Sequence, residues 1–383
     1  MRALFFTMLF AAATVGADAN EAVPVQAVFA GGASSSGWLS FASYTNFGIY
    51  VPVTIAGHAG MALVYGGPSG IDKGLAAAIG LVPKTDDANA VVPMEVHVGD
   101  VTIRSTAAAL TTAQAYAQSV LGAPVICELG EDVFDRLDVE IDFAHHRLAF
   151  RDPASVTIPV GATDVPLAER DGERVVPLSI DGAPPAYFEL ELGNVIGPLL
   201  VTPAFAQAHG LFTGHVTSQR LSGRFIETIV SVDHLGFAGL DFPHTPIAIV
   251  PESQLPPASI TGGVGLPLLS KFHLIVDYPH DRLYAMPDST AIAAPIPKDR
   301  IGMVLSRTAN TNGAFSVAFV APNSPAAAAG FVKGDAIASI DGKPFSAWPM
   351  AAILGFPMAD PGTTHTFAMA DGSVRRVTAA DFF

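Results

Sequence analysis

The sequence predicts a mostly β chain made of two copies of one unit, followed by a separate small domain. Two observations carry that reading. VEIDFAHHRL (139–148) returns as LIVDYPHDRL (274–283), so Asp142, His145, Arg147 and Leu148 recur at Asp277, His280, Arg282 and Leu283, an offset of 277 − 142 = 135 residues. Gly130 and Phe134 map onto Gly265 and Leu269 at the same offset, and the segments opening at Val51 and Val176 also correspond. A duplication of this kind fixes the architecture before any local detail. The second observation is hydrophobic alternation with period two, the mark of half-buried strands.

In the first copy, Val51, Val53 and Ile55 alternate as a strand, Gly57 to Gly60 turns the chain, and Met61 to Val64 starts the next strand. Gly66, Gly67, Pro68 and Gly70 break it, and a short helix is expected over 75–79, closed by Gly80. The second copy repeats this order. Val176, Leu178 and Ile180 alternate, Asp181-Gly182 is a hairpin turn, and 187–192 reads as a strand ending at Gly193. Thr202 then stands as an N-cap with Pro203 at the first helical position, and Gly210 ends the helix. Residues 291–297 read as a Pro/Ala linker and Gly31 to Ser36 as a flexible lead-in. Beyond the linker, strands are expected at 315–319, 336–340, 365–368 and 374–378, with a short helix begun by Ser324-Pro325 and a second capped by Ser346.

Half of the 383 residues are hydrophobic, enough for more than one core. The net charge of −15 argues against nucleic acid as a partner, because phosphate binding needs a basic surface. Residues 1–19 carry Arg2, an apolar run and Ala17-Asp18-Ala19, the pattern of a cleaved secretory signal, so an exported mature chain starting at Asn20 is expected, in the periplasm or outside the cell and free of the membrane. Cys127 is the single cysteine, which excludes an internal disulfide and thiolate zinc clusters. His145 and His146 are adjacent and, on a strand, face opposite ways, so no metal or other cofactor is expected. Neither H-E-x-x-H nor G-x-S-x-G occurs. Asp142 and Asp277 read as structural, through pairing with Arg147 and Arg282 five residues on or through turn hydrogen bonding.

The C-terminal stretch NSPAAAAGFVKGDAIASIDGKPF (323–345) resembles a bacterial PDZ domain. That resemblance implies that Ile301, Gly302, Met303 and Val304 receive the terminal carboxylate of a peptide, which adds as an extra strand. The duplicated region resembles the bacterial retropepsin-like aspartic peptidases: VICELGEDVFDRLDVEIDFAHHRL (125–148) and ITGGVGLPLLSKFHLIVDYPHDRL (260–283) match the lobe ends of that family. The implied architecture is a 20–44 lead-in, acid-protease-like β-barrel lobes at 45–155 and 156–290, and a PDZ domain at 298–383. Both lobes lie in one chain, so a monomer can form the whole unit.

The family's Asp-Thr-Gly loops become Tyr65-Gly66-Gly67 and Glu191-Leu192-Gly193. Its mechanism needs two carboxyls sharing one proton. A phenol with a pKa near 10 cannot replace one of them, and glutamate reaches farther than aspartate. The leading expectation is therefore a non-catalytic peptide- or protein-binding relative. The alternatives are an atypical peptidase using Glu191 with another acid such as Asp72, and a scaffold that binds only through the PDZ domain.

Overall fold

The computed structural model describes residues 25–43, 48–83, 90–112, 121–193, 197–222, 225–251, 260–307, 315–348 and 350–383. The expected signal segment lies outside them.

The first lobe contains β1 (Gln26–Phe29), β2 (Leu39–Ser40), β3 (Ala42–Ser43), β4 (Ile49–Ile55), β5 (His58–Val64), β6 (Gly70–Asp72), β7 (Val91–Val98), β8 (Val101–Thr111), β9 (Val125–Leu129), β10 (Asp138–Asp142) and β11 (Arg147–Arg151). The second contains β12 (Thr163–Pro166), β13 (Ala168–Arg170), β14 (Glu173–Ile180), β15 (Ala186–Leu190), β16 (Leu199–Val201), β17 (Thr217–Ser222), β18 (Phe225–Phe237), β19 (Leu240–Ile249), β20 (Gly262–Val264), β21 (Phe272–Asp277) and β22 (Arg282–Pro287). Strands β4, β5, β9, β6, β8 and β7 pair in sequence around a closed ring. Strands β14, β15, β20, β16, β19 and β18 close the second ring in the same order. The duplication seen in the sequence is thus two six-stranded barrels with matching connectivity. Closure leaves neither barrel an open edge.

A third sheet joins the lobes, in the order β12-β22-β21-β10-β11-β2. Its centre is the antiparallel pair β10·β21, one strand from each copy, with Val139 opposite Val276. Alternation fills the barrels: Ile49, Val51, Val53 and Ile55 are buried in the first, and Val176, Leu178 and Ile180 in the second, within one continuous core. The two short helices fall at equivalent places, Lys73–Ala78 and Pro203–Ala208. Each closes with a left-handed glycine followed by leucine: Leu81 N–H donates to Ala76 O and Leu211 N–H to Ala206 O, both at 2.9 Å. Thr202 caps the second helix by accepting from Phe205 N–H at 3.0 Å.

Two expectations fail here. Gly31 to Ser36 is not a loose lead-in. β1 pairs with β8, Ser35 bridges to Arg151, and the buried Ser36 accepts from Phe150 N–H through its hydroxyl at 2.9 Å. The start of the Pro/Ala linker is the end of a helix, Ser289–Ala293, pinned by the buried Lys271, whose ammonium donates to Ala291 O and Ala294 O at 2.8 Å each.

The remaining residues form a separate sheet, β23 (Met303–Arg307), β24 (Phe315–Val320), β25 (Ala336–Ile340), β26 (Lys343–Pro344), β27 (Thr364–Met369) and β28 (Val374–Thr378), ordered β23-β24-β25-β27-β28 with β26 beside β25. It has its own core around Phe315, Phe331 and Phe367. Ser324 caps the helix Pro325–Ala328 as expected, but the second helix, Met350–Gly355, begins after a separate 3-10 turn at Phe345–Ala347 rather than at Ser346. The chain then returns to the lobes. Ala380 N–H donates to Arg300 O at 3.0 Å, Arg300 and Lys298 pair with Asp381, and Phe383 packs on Ile229, Ala248 and Val250 of the second barrel.

Candidate functional site at the lobe junction

The strand registers test the alignment of the two glycine loops directly. In the first lobe β5 runs parallel to β9 with Val64 beside Leu129, and Tyr65 N–H donates to Leu129 O at 3.1 Å. In the second β15 runs parallel to β20 with Leu190 beside Val264, and Glu191 N–H donates to Val264 O at 3.0 Å. Tyr65 and Glu191 therefore occupy equivalent positions, followed by Gly66-Gly67 and Leu192-Gly193. The loops also meet. A methyl group at Gly193 would lie 2.3 Å from Tyr65 Cβ, and one at Gly66 would lie 3.2 Å from Leu190 O. Glycine is needed at Gly193 because the tyrosine stem stands in the space of its missing side chain.

From there the two polar ends diverge. The Tyr65 ring folds over Gly67, and its hydroxyl donates to Pro68 O at 2.8 Å with the Glu128 carboxyl alongside. Burial first, then the Glu128 charge, push the phenol further above its ordinary range. Glu191 instead turns to its own lobe and hydrogen-bonds carboxyl to carboxyl with Glu189. Burial is the first cause in both, raising Glu191 to about 7 and, with the repulsion of Glu191, Glu189 to about 10. Glu131 of the first lobe is pushed to about 8 by burial and by Glu173. The close carboxyl pair at this junction is therefore Glu189 and Glu191, both from one strand, and not a pair straddling the lobes.

Asp72 does not join them: its carboxylate accepts from Leu75 N–H at 2.9 Å and caps a helix. Leu192 is fully buried in the core. Glu189 escaped the motif-based reading, although the alternation Phe188-Glu189-Leu190-Glu191 sets both acids on one strand face. Asp142 and Asp277 are structural as expected, but their partners differ. Asp142 holds Arg147 at 2.9 Å and His145 at 2.8 Å; Asp277 holds His280, while Arg282 pairs with Asp164 at 3.2 Å. His145 and His146 lie in the turn between β10 and β11, not on a strand.

In the C-terminal domain, Ile301 and Met303 are buried in the core and Val304 is half-buried on the edge strand β23. Gly302 has φ +74 and packs against Ser324 and Phe382. The N–H groups of Ile301 and Gly302 are not free: both donate to Asp299 Oδ1, at 2.9 and 2.7 Å. Burial raises Asp299 to about 6 against the pull of those two bonds.

No family model matches the sequence, and no curated protein does. Among solved structures, an aspartic proteinase from Irpex lacteus is similar to it at 12% identity and a TM-score of 0.38, over 68% of this chain and 99% of that one. The matching barrels define a duplicated, two-lobed β protein, and the internal registers, rather than that likeness, set Tyr65 against Glu191.

Proposed function

We propose that this chain is an exported, non-catalytic relative of the two-lobed aspartic peptidases, that its lobe junction binds extended peptides, and that its C-terminal PDZ-like domain binds protein C-termini. One observation supports the loss of catalysis above the others. The two positions that would hold the carboxyl dyad carry Tyr65 and Glu191, and these turn to different partners, Pro68 O and Glu189. At those two positions the first lobe offers no carboxyl to share a proton with Glu191, which supports the loss of the water-activating dyad. The loops still touch at Gly193, which supports a junction that keeps its shape.

A second reading, an atypical endopeptidase, is favoured by the hydrogen-bonded Glu189–Glu191 pair. Digestion of a denatured protein from about pH 3 to pH 7, the range of carboxyl titration, separates the two. The proposal expects no cleavage by the purified protein. Cleavage that disappears in Glu191→Gln would replace it with the endopeptidase.

A further inference from the structure

The two barrels are symmetric in connectivity but not in what they present to the junction. Phe188 and Leu190 point into the second barrel, so alternation turns Glu189 and Glu191 outward. β14 sets Val175 opposite Glu189, and the same register carried two residues on brings Glu173 beside Glu191. Glu131, whose N–H donates to Gly67 O at 2.9 Å, faces this group from the first lobe and acts on Glu189. The equivalents of Glu189 and Glu191 in the first lobe are Leu63 and Tyr65, which pack with Tyr50 and Val125 in an apolar cluster. At these two equivalent positions the second lobe presents carboxyls and the first an apolar and aromatic pair, with Glu128 and Glu131 flanking the tyrosine.

Glu173, Glu189 and Glu191 of the second lobe and Glu131 of the first have no ion-pair partner among the described residues, and Arg174, the nearby cation acting on Glu131, is already bonded to Asp281 at 2.6 Å and to Asp135 at 3.4 Å. Glu189 is only 9% exposed, yet its Oε2 has no hydrogen-bond partner among the described residues. A buried carboxyl oxygen left unsatisfied costs about 1–3 kcal/mol, more if charged, so a donor arriving there is favoured. The carboxyls are not arranged to hold a metal: no group of three or more His, Cys, Asp or Glu among the described residues has that geometry. A guanidinium or ammonium on a long stem fits both halves, its methylenes along the tyrosine side and its donors on the glutamates.

We propose that the junction is a binding site for a basic side chain, an arginine or lysine of an extended peptide, whose charged head is received by Glu189 and Glu191 with Glu131 and Glu173 around them. This rests on the peptide-binding reading above, and the test has two arms so that the two can fail separately. The first titrates the protein, with glutamates labelled at the carboxyl carbon, with N-acetyl-arginine amide, its neutral citrulline isostere, and Ca²⁺. The arginine probe is expected to shift the Glu189 and Glu191 signals with at least tenfold higher affinity than citrulline, and in Glu189→Gln/Glu191→Gln the remaining Glu131 and Glu173 signals should show no such preference. Equal response to both probes, or response to Ca²⁺ alone, overturns the site. The second arm compares octapeptides with a central arginine or citrulline by calorimetry. A tenfold preference for arginine is expected. If the amide probe binds and neither peptide does, the cation site stands and the peptide reading falls.

Discussion

Asp138 offers the sharpest test of the electrostatics at the seam between the lobes. It opens β10, is fully buried, and among the described residues no N–H or hydroxyl reaches either of its carboxyl oxygens. What faces it is the Asp277 carboxyl at the end of β21, so a proton held between the two acids is the stabilising device left. Burial, then the Asp277 charge, raise Asp138 from 3.8 to about 7, with His280 opposing. A folded-state value above the unfolded one means that the folded chain binds the extra proton. The stabilisation is complete below about pH 4 and is lost as pH rises through 7. At 1.36 kcal/mol per unit the difference is at most on the order of 4 kcal/mol, and it belongs to the Asp138–Asp277 pair rather than to Asp138 alone. Glu131, Glu189 and Glu191 are raised too and act in the same direction, so the wild-type protein is expected to melt higher at pH 4.5 than at pH 8. Asp138→Asn isolates one contribution, because the amide donates to Asp277 at every pH. At pH 8 the variant is expected to gain roughly 1–3 kcal/mol, several degrees in Tm for a domain of this size. At pH 4.5 it should match the wild type to about 0.5 kcal/mol. Melting followed by near-ultraviolet circular dichroism at both pH values reads this out. A variant that is no more stable than wild type at pH 8, or that loses as much at pH 4.5 as it gains at pH 8, refutes the shared proton.

Gly193→Ala places a methyl 2.3 Å from Tyr65 Cβ and is expected to destabilise on the order of 2–3 kcal/mol in urea unfolding. Tyr65→Gly in the same chain should restore much of that; no recovery would mean the loops do not abut at these residues. In the C-terminal domain, a peptide's free carboxylate must displace Asp299 from the N–H groups of Ile301 and Gly302. Because Asp299 is raised to about 6, protonating it loosens that hold, so calorimetry should find free C-terminal peptides binding more tightly at pH 5 than at pH 7. Asp299→Ala should bind tightly at both, and amidated peptides should show neither effect; a pH dependence that persists in Asp299→Ala would locate the titrating group elsewhere.

Much of the fold was legible because duplication and period-two alternation are local signals. The strands around Val51 and Val176, the caps at Thr202 and Ser324, and both Gly-Leu helix ends needed no tertiary information. Missed features depend on partners far along the chain. Ser36 is ordered by Phe150, 114 residues away, and composition near Gly31 cannot reveal that. Arg282 chooses Asp164 over Asp277 because β12 lies beside β22, a pairing that the repeated Asp-to-Arg spacing does not encode. At the junction, the equivalence of Tyr65 with Glu191 followed from the strand and glycine pattern. The identity of Glu191's carboxyl partner did not: any acid near a loop was a candidate until the strand face was known, and Glu189 displaced Asp72 on that ground.

The pairing of β10 with β21 also bears on how the chain reaches its native state. Most strands in each barrel find partners within their own copy, at modest sequence separation, whereas this pair joins residues such as Val139 and Val276. Loop closure over such a separation is entropically unfavourable until both halves have collapsed, so the seam is expected to form after the hairpins. Until it forms, each half-chain carries an unsaturated strand edge, able to accept the other half or the same half of a neighbouring molecule. The covalent tether between the copies favours the first outcome by holding the complementary edge at high local concentration, which guards against swapped assembly.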